Sequence, residues 1–365
     1  MRRREAALAI VLDSILVTGS SNRAKGERAM RLRSGVAIDL GTVNTLVYVA
    51  GRGIVVEEPS AIAISRPAGR VVAVGAAADA LSGKEPLDIE VIHPLRDGVI
   101  ADLEATVAML QAFLRVARVR RGLGRTAAVV CLPIEATYVE RRSVAAAAEA
   151  LRPRCAIQLV EEPVAAAAGA GFDLVAGSGA FIVDIGGGTT EVAVLAGGHV
   201  VRARSLRLGG NAMDEAIVRA VKLEHGLLIG RNAARNLKMT LGLADGSISE
   251  AETVGVDAAR RVPQVRRVSA KLVAAAVEPT VAAITSAVEE LLSDIPPNLA
   301  EEVVRGKIRL AGGGALLPGL AYRIETAADI AAVVVDDPLR CVIRGAAQIL
   351  EGGAPAGRAG PRSPA

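Results

Sequence analysis

The 365-residue chain has no tryptophan, and its aromatic residues are three tyrosines and three phenylalanines. Its core must therefore be built from Ala, Val, Leu and Ile, which suits buried parallel strands and alanine-rich helices. The same scarcity argues against nucleic acid as a partner, since such surfaces combine a basic stripe with stacking aromatics. Net charge is only +4, and basic residues gather only in the first 33 positions and around Arg260 to Arg267. Cys131, Cys155 and Cys341 are odd in number and far apart. That is the usage of reduced thiols serving as small core residues. His93, His199 and His225 share no ligand-like spacing with them, which argues against a zinc site. No Gly-Lys-Ser or Gly-Lys-Thr occurs, so a Walker loop is excluded.

What is abundant is glycine beside acid. Ala180-Phe-Ile-Val-Asp-Ile-Gly-Gly-Gly-Thr-Thr-Glu-Val-Ala-Val-Leu195 runs from an apolar strand through Asp184 and three glycines into a second β-branched strand. It reads as a hairpin whose turn lets a ligand approach the backbone. Backbone N–H groups in such a turn point at anions, and Asp184 could hold a metal through water. A tight turn without a ligand would satisfy one such stretch. Val36-Ala-Ile-Asp-Leu-Gly-Thr-Val-Asn-Thr-Leu-Val-Tyr-Val49 repeats the design around Asp39. Two copies in one chain point to an internal duplication with two turns face to face across a cleft. A third apolar strand, from Lys307, ends in Gly312, Gly313 and Gly314.

Between the copies the chain alternates strand and helix, as a parallel α/β layer does. Ala127 to Leu132 reads as a buried strand, Glu140 to Leu151 as a helix, and Ile157 to Val160 as a strand. Glu161-Glu162-Pro163 then opens an alanine-rich helix, with proline suited to the first turn and the carboxylates at its positive end. These acids are either caps or a group that orients a water. A long helix is expected from about Ser269 to Ser293, stopped by Pro296-Pro297. Residues 1–18 join three arginines to a short apolar run, too short to span a bilayer. They read as a membrane-surface helix or as an unstructured leader, with Met30 an alternative start. The tail from Gly352 is Gly, Pro, Ala and Arg and is expected to be disordered.

Taken together, Asp39 to Thr45, Asp97 to Asp102, Glu161 to Pro163, Asp184 to Glu191, Gly312 to Leu317 and Asp337 to Leu339 resemble, in order, the nucleotide-site segments of the actin-like ATPase superfamily. Within it the match is to the MreB/Mbl family of bacterial rod-shape-determining proteins, over about residues 35–351. The resemblance implies an α/β actin-like (ribonuclease H-like) fold of two duplicated domains around a nucleotide cleft. Domain I would comprise 34–173 and 341–351, with a small insertion at about 62–104. Domain II would comprise 174–340, with an insertion at about 211–277; 1–33 form the leader and 352–365 the tail.

Residue by residue, the resemblance implies that Asp39 and Asp184 hold Mg²⁺ through its waters. Gly41, Thr42, Val43, Asn44, Gly186, Gly187 and Gly188 would cradle the phosphates of ATP. Glu162 would position the attacking water with help from Thr189. Gly312, Gly313, Gly314 and Ala315 would approach the adenosine and α-phosphate, with Gly210, Asp214, Glu215 and Lys238 nearer sugar and base. Arg235 stands where the family usually has Glu, Asn236 where a basic residue is common, and Ala311 where Thr is usual. The implied function is slow, polymerisation-coupled ATP hydrolysis by a cytoplasmic cytoskeletal protein. Its filaments would lie on the inner face of the cell membrane and organise cell-wall synthesis and cell shape with morphogenesis proteins. Alternatives are a nucleotide-loaded filament scaffold with little hydrolysis and a small-molecule kinase of the same superfamily.

Overall fold

The hairpin of Ala180–Ile185 and Thr190–Ala196 lies at the heart of a five-stranded sheet. Both strands are buried along almost their whole length. The computed structural model describes residues 35–66, 68–119, 127–151, 156–174, 179–243 and 248–352. The leader at 1–33, the tail beyond Gly352 and residues 120–126 lie outside them.

Two sheets of identical design carry the fold. Across the first run Gly53–Pro59, Asn44–Val49, Gly35–Leu40, Ala127–Leu132 and Ala156–Glu161. Across the second run His199–Leu206, Thr190–Ala196, Ala180–Ile185, Ile308–Ala311 and Ala332–Val334. Numbered in chain order within each half, both read 3-2-1-4-5. In both, the second strand alone runs against the others. The duplication expected from two turns therefore extends to the whole sheet.

The helix that closes each half packs across onto the other. Glu162–Gly169, almost entirely buried, lies against Ala180–Ile185 and Thr190–Ala196. Cys341–Leu350 lies against Gly35–Leu40 and Ala127–Leu132. The two helices also touch each other with no room for side chains at the crossing. A Cβ on Gly169 would collide with the Cys341 carbonyl, and one on Gly345 with the Ala165 carbonyl. Residues 165 and 169 of one helix thus answer to 341 and 345 of the other, and the contact is self-complementary, as in an isologous interface.

Smaller sheets sit in the connections: Arg70–Val74, Ile62–Ser65 and Ile89–Ile92 in the first half, and Leu227–Leu228, Glu250–Asp257 and Pro263–Ser269 in the second. The long helix spans Ala270–Ser293, with Ser269 Oγ accepting the Leu272 N–H at 3.2 Å as its cap. Its apolar run belongs to the core, where Val273, Val277, Val281, Ile284 and Val288 are fully buried. Pro296-Pro297 does more than stop it. Pro297 is the first residue of a further helix, Pro297–Gly306, a position where its missing N–H costs nothing.

Candidate functional site: a glycine-lined cleft

The two hairpin turns meet. A Cβ on Gly187 would run into the Val43 side chain, and one on Gly188 would lie 2.7 Å from Thr42 Oγ1 and 2.9 Å from Asp97 Cα. Thr42 Oγ1 in turn accepts the Gly98 N–H at 2.9 Å. Glycine at 187 and 188 is therefore what lets the turns close on one another. Behind them opens a cavity of about 330 Å³, lined by both halves of the chain. Its walls include Asp39, Gly41, Thr42, Val43, Asn44, Glu162, Asp184, Gly186, Gly187, Gly188 and Thr189. Gly210, Asp214, Lys238, Gly312, Gly313 and Gly314 complete the residues expected there. Gly312 adopts φ +77° where the third strand turns away, and a Cβ there would fall 2.5 Å from Asp184 Oδ1.

Three carboxylates face this space. Among the described residues no hydrogen-bond donor or cation reaches the side chains of Asp39, Asp184 or Glu162. Burial, and then the charge of Asp184, pushes Asp39 up to about 7. Burial pushes Asp184 up to about 6. Burial, followed by the charges of Glu191, Asp39 and Asp184, pushes Glu162 well above the usual carboxylate range. A cation from outside is what such a set lacks. Among the described residues no three His, Cys, Asp or Glu side chains converge into a direct ligand set. The arrangement fits Mg²⁺, which keeps several waters and is commonly shared between a carboxylate or two and substrate phosphates.

The other end of the cavity is built on a buried ion pair. Asp214 is 1% exposed, and its Oδ1 lies 2.6 Å from Lys238 Nζ. Lys238 also donates to the Gly210 carbonyl at 2.9 Å. Burial pulls the Lys238 pKa down, against the pull of Asp214 upward. Arg235, one helical turn before Lys238, brings Nε to 3.5 Å from Asp214 Oδ2. Met213, Met239, Leu316, Leu339 and Val342 form the apolar part of the wall. Leu316 and Leu339 fall within the motif segments 312–317 and 337–339, whereas Met213, Met239 and Val342 were not singled out from sequence, where apolar residues beside a site look like core.

Two expected residues do not line the cavity. Glu215 follows Asp214 on the helix Gly210–His225, and neighbours in a helix point about 100° apart. It turns to the surface and pairs with Arg231 at 2.7 Å. Ala315 sits in the 3₁₀ turn Gly313–Leu316 and faces inward, 2% exposed, into the core of the second half.

Twin 3-2-1-4-5 sheets, crossing closing helices and a glycine-walled cleft between the halves define an actin-like fold. The residue pattern described as MreB/Mbl protein matches residues 33–355. The chain belongs to the MreB/Mbl family. It is 41% identical over 323 residues to the cell shape-determining protein MreB of Escherichia coli strain K12, covering 87% of this chain and 93% of that one. To the cell shape-determining protein Mbl of Bacillus subtilis strain 168 it is 36% identical over 318 residues, covering 87% and 95%. Among solved structures, MreB 5 of Spiroplasma citri bound to AMPPNP superposes with a TM-score of 0.79 at 31% identity, over 86% of this chain and 94% of that one.

Proposed function

We propose that the cleft binds ATP with Mg²⁺ and hydrolyses it slowly, and that loaded copies polymerise into filaments on the inner face of the cell membrane. There they organise cell-wall synthesis and cell shape with other morphogenesis proteins. The observation that carries the nucleotide part is the set of three partnerless carboxylates facing two apposed glycine turns. The turns offer backbone N–H groups to a phosphate chain. Mg²⁺, when bound, supplies the charge that neutralises phosphate oxygens and carboxylates together. Relatives named as cell shape-determining proteins and a neighbour solved with an ATP analogue support the assignment.

Phosphoryl transfer to water asks mainly for positioning and charge neutralisation. Glu162, at the start of a buried helix, accepts a hydrogen bond from the attacking water and holds it in line. Thr189, buried beside Gly98, offers its hydroxyl to the same water. Asp39 and Asp184, one from each half, would hold the hydrated ion. A filament that binds nucleotide without turning it over is favoured by one observation: Arg235 places a second cation at a wall where Asp214 is already paired.

One experiment separates the readings. Pelleting and phosphate release are measured with ATP and Mg²⁺, with and without anionic liposomes, for the wild type and Glu162→Ala. The proposal expects polymer in the pellet, liposome co-sedimentation, release that rises with protein concentration, and loss of release but not of binding in the variant. Pelleting without release from the wild type would establish the scaffold instead, and no liposome recovery would remove the membrane from the proposal.

A further inference from the structure

Glu191 has no part in the hydrolysis outlined above, yet it is 1% exposed beside the reacting groups. It stands directly across the hairpin from Asp184. Its Oε1 accepts the Ile134 N–H at 2.9 Å and the Ser205 hydroxyl at 3.4 Å. Its Oε2 is buried without a partner among the described residues. A buried, half-satisfied carboxylate is costly, and the shorter of the two bonds it does make, to Ile134, joins the two halves of the chain.

Ile134 belongs to the first half, two residues beyond Leu132. Leu132 pairs with Glu161, the residue before Glu162. Arg141 fastens the same corner, donating from Nη2 to the Ile134 carbonyl at 3.2 Å and to Glu161 Oε1 at 3.3 Å. An unbroken run of contacts thus leads from the turn Gly186–Thr189 through Glu191, Ile134 and Arg141 to the strand end that presents Glu162. Glu191 is also the strongest charged neighbour that Glu162 has.

We infer that Glu191 is a positioning residue: by gripping the Ile134 N–H across the cleft, it fixes the glycine turn of one half against the Glu162 carboxylate of the other. The inference rests on the proposed hydrolysis, because what it positions is the water held by Glu162 against a phosphate held by the turn. Displacing such groups by an ångström costs on the order of a hundredfold in rate.

The test compares wild type, Glu191→Ala, Glu191→Gln, Arg141→Ala and the double variant Glu191→Ala/Arg141→Ala. Phosphate release is read alongside the affinity for a fluorescent ATP analogue and the melting temperature. Glu191→Ala is expected to lose roughly tenfold to a hundredfold in kcat, with affinity held within about threefold. Glu191→Gln keeps the acceptor for Ile134 and recovers most of that loss. The double variant loses less than the product of the single losses, since both residues act on one corner. Wild-type turnover in Glu191→Ala, equal loss of affinity and turnover, or no rescue by Gln overturns the inference.

If the wild type binds ATP and releases no phosphate, the proposed hydrolysis falls, and amide exchange then decides the positioning claim. Loss of nucleotide-dependent protection at 134–141 and 161–164 in Glu191→Ala supports it, and unchanged protection overturns it.

Discussion

Asp184→Asn isolates what the cleft costs the fold. Asp184 accepts no hydrogen bond within the described protein, so the amide forfeits none, and the two side chains have nearly the same shape. Burial raises its pKa from 3.8 to about 6. A carboxyl whose folded pKa is raised binds its proton more tightly in the native state. Stability is then highest below the unfolded pKa and falls as pH climbs through the folded one. The rise of about two units, at ~1.4 kcal/mol each, makes ionised Asp184 about 3 kcal/mol destabilising above pH 6. Water in the open cleft makes that figure a ceiling. Asparagine never ionises, so the ligand-free variant should outlast the wild type at pH 8. At ~2–4 °C per kcal/mol the gain is at most roughly 10 °C. At pH 5 the gain shrinks to about half, near pH 4 to about a fifth, and it vanishes only below about pH 3. Thermal unfolding by circular dichroism in a chelating buffer reads this directly. With ATP and Mg²⁺ the order reverses, because ligand stabilises only the protein that binds it. A variant no more stable than wild type at pH 8, or equally favoured at pH 4 and 8, would refute the reasoning.

Two further substitutions probe the frame around the site. In Gly345→Ala the new methyl would overlap the Ala165 carbonyl oxygen and lie 2.7 Å from Gly169 N, so the crossing helices must part. Overpacking of about 1–3 kcal/mol exceeds the helix-propensity gain of about 1 kcal/mol. A lowered denaturation midpoint in urea is expected, and an unchanged or raised midpoint would show that the crossing is not tight. Lys238→Ala leaves Asp214, 1% exposed, without its close partner and should cost about 3–5 kcal/mol. Arg235→Ala removes a cation 44% exposed and 3.5 Å away and should cost under about 1 kcal/mol. Equal losses in the two variants would contradict this ranking.

Sequence gave up the parts of this molecule that are local. The turns at Asp39 and Asp184 each occupy a few consecutive residues, and glycine beside acid after an apolar strand has few other uses. The shared 3-2-1-4-5 order was hidden, because it depends on pairing Gly35–Leu40 with Ala127–Leu132 and Ala180–Ile185 with Ile308–Ala311 over long separations. Glu215 was separable in principle: it directly follows Asp214 on a helix, and only one of two adjacent positions can face the cleft. The helix crossing also left a trace, since Ala165 and Gly169, like Cys341 and Gly345, are small residues four apart on one helical face.

That trace gives the glycines a reason that composition alone does not. The halves meet where two helices touch backbone to backbone, and again at the mouth of the cleft, where Gly187 and Gly188 lie against Val43 and Thr42. A side chain at either contact would hold the halves apart. Under the proposed function, two turns closing on one phosphate chain would require both contacts to stay bare. The chain therefore places glycines at the helix crossing and at the mouth of the cleft, and between them keeps three carboxylates that no donor or cation among the described residues reaches.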